Sequence, residues 1–108
     1  MSQILGIDAS TQGIATLVFD TREMQVVAEA AINFGQDLPE YSAPQGFIPG
    51  APDGVVHADP LMWLDGLELC LDQLRAGGTD LGRIAALSGA GQQHGTVYLN
   101  TEGLERLT

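Results

Sequence analysis

Asp8 stands at the end of an apolar run, ILGID, and is followed at once by Ala9-Ser10-Thr11-Gln12-Gly13. A carboxylate, two hydroxyls and a glycine this close together can serve a divalent metal and an anion. The carboxylate can join a metal's oxygen shell, and the glycine lets the backbone approach an anion closely. The residues alone leave a plain hairpin turn equally open. A second group lies far along the chain, where Ser88 to Gly95 (SGAGQQHG) gathers glycines, the amides of Gln92 and Gln93, and the imidazole of His94. By itself His94 fits a structural or surface role as well as a functional one. Cys70, the single cysteine, sits in an apolar helical pattern and reads as a core residue of a protein kept in a reducing compartment.

The elements that must hold these groups follow from patterning. Residues 4–8 form a short buried strand, 14–20 (IATLVFD) a second, and 25–34 (QVVAEAAINF) a third. Short links between them favour an antiparallel meander. Residues 35–59 carry Pro39, Pro44, Pro49 and Pro52 with several glycines, the composition of a functional loop or of a disordered insert. Asp59-Pro60 then opens a helix, because Asp can cap the free N–H groups and Pro suits the first helical position. Leu64, Leu67, Leu71 and Leu74 supply its apolar stripe, Met62 and Trp63 add core residues, and Gly77-Gly78 ends it. IAAL after Arg83 is a buried strand stopping at Ser88-Gly89, and TVYLN at 96–100 is a last strand before a turn at Thr101-Glu102-Gly103. A strand returning after a helix favours parallel pairing with an earlier one by a right-handed crossover. The fold class is therefore α/β with a mixed sheet. If the first and fourth strands are parallel neighbours, both chemically interesting loops leave one sheet edge, where ligands of open α/β sheets bind.

Composition narrows the partners. A chain of 108 residues with 44% hydrophobic and 17% charged residues suits one globular domain with a real core. Four arginines and no lysine against 14 acidic residues give a net charge of −10. Such a surface repels nucleic-acid backbones and anionic membranes alike, so neither is expected as a partner. The missing lysine excludes a P-loop. Any phosphate bound here must be held by backbone N–H groups, hydroxyls and a metal. No apolar run approaches a membrane span, and MSQILGID lacks the basic start of a secretory signal, so a cytoplasmic location is expected.

GIDASTQGIATLVFD resembles the first phosphate-binding motif of the FGGY family of carbohydrate kinases, in the ribonuclease H-like, actin/hexokinase-like ATPase superfamily. LSGAGQQHGTVYLN is similar to the sugar-reaching segment of the xylulose kinases within that family, and is the more specific match. DLPEY and DPLMWLDGLELCLDQL resemble the animal-type members, and the likeness runs in order from Leu5 to Leu99. The resemblance implies an ATP-dependent transfer of the γ-phosphoryl group to a pentulose, D-xylulose first. It implies ATP and Mg²⁺ as cofactors. Asp8 would hold the Mg²⁺ through water, Ser10, Thr11 and Gly13 would form the turn facing the transferred phosphate, and Gln93 and His94 would contact the sugar. Two residues depart from the family pattern: Ser10 stands where glycine is usual, and Ala15 where a basic residue often follows, so no basic phosphate ligand is carried over.

Family members are several times longer, with two ATPase-like domains facing across a cleft. The resemblance therefore implies that residues 1–108 are the N-terminal part of the first domain, without the second. The general base, the second phosphate motif and the adenosine site would lie beyond the chain. No catalytic residue is assigned here, and the chain alone is expected to be inactive. A homodimer is compatible with the full-length protein. Glycerol, gluconate and ribulose kinases share the phosphate motif and stay open, as does a non-catalytic sugar- or nucleotide-sensing domain of the same fold. A ribonuclease H-like nuclease would also begin with Asp8. It would need further carboxylates beside Asp8, such as Glu68, to hold two metals.

Overall fold

The computed structural model describes residues 2–91 and 97–107. Four strands, β1 (Gln3–Ala9), β2 (Gly13–Asp20), β3 (Gln25–Asn33) and β4 (Ile84–Ala90), form one sheet in the order β3-β2-β1-β4. β1, β2 and β3 are the expected antiparallel meander. β4 lies parallel to β1.

Helix α2 (Pro60–Ala76) covers one face, after the short α1 (Phe34–Asp37) has turned the chain away from β3. Asp59 caps α2 by accepting from the Leu61 N–H at 3.0 Å, Pro60 takes the first turn, and Gly77 closes the last. Alternation along the strands sends Leu5, Ile14, Val18 and Ile32 towards this helix, where Phe34, Met62, Cys70 and Leu74 complete the core. The buried stripe is Met62, Gly66, Cys70 and Leu74, turned from the leucine stripe expected from the sequence. Leu67 and Leu71 lie half-buried on its flank, and Leu64 is exposed. The glycine explains the rotation, because at Gly66 the helix backbone comes close enough to β2 and β3 for the Phe34 ring to fill the gap.

Cys70 is a core thiol, as expected. It is fully buried and donates to the Ile14 carbonyl at 3.5 Å, and burial pushes its pKa up. Trp63 packs at the core margin, its indole N–H buried without a partner among the described residues.

Two expectations need correction. β4 runs on to Ala90 and is exposed rather than buried, because α2 packs over β2 and β3 and leaves the β4 edge uncovered. Residues 97–100 form no strand, and Thr101–Leu107 is a helix, α3, in place of a turn. Asn100 caps it, its side chain accepting from the Gly103 N–H at 2.7 Å, while Glu102 pairs with Arg106 one turn on. A segment with strand-forming residues but no neighbouring strand gains no ladder, and the local cap decides instead. Residues 35–59, read from composition as a functional loop or a disordered insert, carry local structure. They hold most of α1, a 3₁₀ turn at Pro39–Tyr41 and an antiparallel bridge between Ile48 and His57.

Candidate functional site

Asp8 occupies the next-to-last position of β1, opposite Ala15 of β2 and beside Ala90 of β4. The parallel pairing thus makes the turn at 10–12 and the chain leaving β4 depart from one edge of the sheet. Gln93 and His94 lie outside the described residues. Among the described residues, β4 ends at Ala90 beside Asp8 and the chain runs one residue further, to Gly91.

The alternation that sends Leu5 and Ile7 towards α2 sends Gly6 and Asp8 to the other face, where the Asp8 side chain is exposed. Two depressions meet at it. One, of about 390 Å³, lies on the open face among Gly6, Asp8, Leu17, Glu29 and Ser88. The other, of about 260 Å³, lies over the turn and is bordered by Asp8, Ser10, Gln12, Gly13 and Asn33. Asp8, Ser10 and Gly13, singled out in the sequence, therefore do come together. Thr11 borders neither depression.

The turn is held from within. Ser10 closes it, its backbone N–H donating to the Gly13 carbonyl at 2.9 Å and its hydroxyl to the same oxygen at 3.0 Å. Phe34, the first residue of α1, donates its N–H to the Gln12 carbonyl at 2.9 Å. The backbone that Gly13 admits is the Ile32 carbonyl, whose carbon would lie 3.2 Å from a Cβ there.

Glu29 was not anticipated. Its only trace in the sequence is a lone charge among alanines in QVVAEAAIN, on the face opposite Ile32. Asp8 and Glu29 give the depression on the open face two carboxylates. Arg22 and Arg83 flank Asp20 and Ile84, which pair with Gln3 at the start of β1, so both lie at the far end of the sheet. Arg75 ends α2, which runs back towards that end. Asp20, at the far end, is a structural carboxylate. It accepts from the Glu23 and Arg22 N–H groups at 3.0 and 2.8 Å, which lowers its pKa.

A two-metal nuclease does not fit. Glu68 is exposed on α2, on the face of the sheet opposite Asp8, and no cluster of three metal-binding side chains occurs among the described residues.

The sheet order β3-β2-β1-β4 with its parallel fourth strand matches the start of the actin/hexokinase-like fold. Structures of a xylulose kinase from Brucella ovis (TM-score 0.71, 24% identity) and of a gluconate kinase from Lactobacillus acidophilus (TM-score 0.69, 20% identity) share this fold over 94% of the chain. The chain covers 19% and 18% of those two chains. By sequence the chain is similar to xylulose kinases: the rat xylulose kinase is 42% identical over 98 residues, 90% of this chain. The chain spans 18% of that relative's length. No protein-family model matches it. No helix among the described residues is long and apolar enough to cross a membrane.

Proposed function

We propose that this chain is the first-domain portion of an ATP-dependent kinase that phosphorylates D-xylulose. The observation that carries the reading is the parallel β1–β4 pair. It sets the Asp8 turn and the end of β4, from which the chain continues towards His94, at one sheet edge, a place where a phosphate donor and a sugar acceptor could meet. The choice of xylulose over gluconate rests on the sequence relatives, since the gluconate kinase is alike in fold at only 20% identity.

Phosphoryl transfer depends on positioning and on neutralising charge more than on covalent chemistry. Asp8 is exposed and has no ion-pair partner among the described residues, which suits one divalent ion held through water. Bound there, Mg²⁺ would offset the charge that builds on the transferred phosphoryl group. The turn at Ser10, Thr11 and Gly13 steadies the phosphate, while Gln93 and His94 orient the sugar. The base that takes the hydroxyl proton lies outside this chain. A cytoplasmic location fits a lone buried thiol with no disulfide.

The test is a coupled assay on the full-length protein with D-xylulose, D-ribulose, gluconate and glycerol at matched concentrations. Preferential ATP- and Mg²⁺-dependent phosphorylation of D-xylulose is expected. Turnover of another of these sugars with none on D-xylulose overturns the substrate, and absence of any turnover overturns the kinase reading.

A further inference from the structure

Residues 43–46 form a tight turn, the Gly46 N–H donating to the Ala43 carbonyl at 3.0 Å. Ala43 anchors this turn in the core at 2% exposure, and Pro44 rests directly on the backbone of Gly35. Gly46 itself is buried, has a φ of +90°, and faces the carbonyl of Thr11. A Cβ on Gly46 would lie 2.7 Å from the Thr11 carbonyl carbon and closer still to its oxygen. Three successive carbonyls of the candidate phosphate turn are therefore engaged within the protein: Thr11 packs against Gly46, Gln12 accepts from the Phe34 N–H, and Gly13 accepts from Ser10.

In a trans peptide the C=O and the following N–H point in opposite directions. With the Thr11 oxygen held against Gly46, the Gln12 N–H is directed away from the body of the protein. No hydrogen bond to the Thr11 or Gln12 N–H is formed among the described residues. Outward N–H groups on successive residues are the donors an anion needs.

We infer that Gly46 is a positioning residue for phosphate binding: it fixes the Thr11–Gln12 peptide so that the Gln12 N–H faces the phosphate. The segment at 35–46 is then part of the phosphate site although it touches no ligand. This rests on the kinase reading above and adds to it a residue far away in sequence.

Gly50 supplies an internal control. Its φ is +89°, yet a Cβ there would meet nothing within 4 Å. Gly46→Ala and Gly50→Ala therefore impose the same backbone strain, and only the first displaces Thr11. In the full-length protein, Gly46→Ala should lower kcat at least about tenfold, as expected for one lost charge-assisted hydrogen bond, with the sugar KM unchanged. Gly50→Ala should leave both constants at the wild-type level. Pro44→Gly, which loosens the turn without a clash, should shift kcat in the same direction by less. Melting curves on all three separate positioning from unfolding. If Gly46→Ala does not fold, Pro44→Gly decides, since it lowers kcat at an unchanged sugar KM only if the turn positions the phosphate. A folded Gly46→Ala with wild-type kcat overturns the inference, as does an equal rise in both KM values. A wild-type protein with no kinase activity overturns the functional reading instead.

Discussion

Gly66 of α2 lies against the ring of Phe34, where a Cβ would sit 2.7 Å from Cε1 and 3.2 Å from the Cδ1 atoms of Ile14 and Ile32. Two effects oppose each other in Gly66→Ala. Alanine in a helix interior gains roughly 0.5–1 kcal/mol over glycine. Overpacking a filled core costs about 1–3 kcal/mol, and Phe34 is fully buried with no room to swing aside. The second wins. Gly66→Ala should destabilise the chain by about 1 kcal/mol in urea unfolding, and a variant more stable than the wild type would contradict this packing.

That contact also shows why the helix was legible and its facing was not. Asp59, Pro60 and Gly77 mark the ends of α2 by local chemistry, which a sequence displays directly. Which stripe faces the sheet depends on Phe34 and Gly66, thirty-two residues apart, meeting only after folding. The meander and the parallel β4 were equally legible, because short links and a helical crossover leave few topologies. Residues 97–107 were misread because strand propensity has no force without a neighbouring strand. In the site, Asp8, Ser10 and Gly13 were visible as a local motif. Glu29 and Gly46 were not, since their nearness to Asp8 and Thr11 arises from strand register and loop packing.

The Tyr41 hydroxyl donates to the Asp65 carboxylate and so ties the 3₁₀ turn to α2. This hydrogen bond, with burial and the negative charge of Asp65 adding to it, pushes the phenol from 10.0 up to about 12. A raised folded-state value means that the folded chain holds the proton more tightly. The contribution to stability is then complete below pH 10.0 and is lost as pH rises towards about 12. Urea midpoints of the wild type and Tyr41→Phe should differ at pH 8 and converge across that alkaline range. A gap that stays constant would show that the tie does not form.

The two halves of the long loop should differ in resistance to proteases. Leu38 and Ala43 are buried at 8% and 2% exposure, whereas Val56, inside the loop closed by the Ile48–His57 bridge, is 71% exposed. Exposed tips with few packing contacts are where proteases cut first. Elastase or proteinase K at low ratio should nick first within 49–57 and spare 38–46. Early cleavage between Leu38 and Gly46, located by mass spectrometry, would remove the basis for treating 43–46 as a support of the phosphate turn.

Asp8 and His94 should have separable kinetic effects in the full-length protein. Asp8 sits at the junction of two depressions and is assigned to the metal and the reacting phosphate. Asp8→Asn keeps the shape and removes the charge. It should depress kcat by about 100-fold or more, as for other losses of transition-state charge stabilisation, and change the sugar KM little. His94 is assigned to the bound sugar and acts partly in the ground state. A neutral hydrogen bond is worth about 0.5–1.5 kcal/mol, so His94→Ala should raise the sugar KM by roughly 2- to 10-fold and spare that for ATP. If either residue merely supports its turn, the melting temperature should fall and both substrates should suffer alike. Varying each substrate in turn, beside a melting curve for each variant, distinguishes these outcomes. An unchanged sugar KM in His94→Ala would remove the strongest residue-level support for a sugar site on the segment that leaves β4.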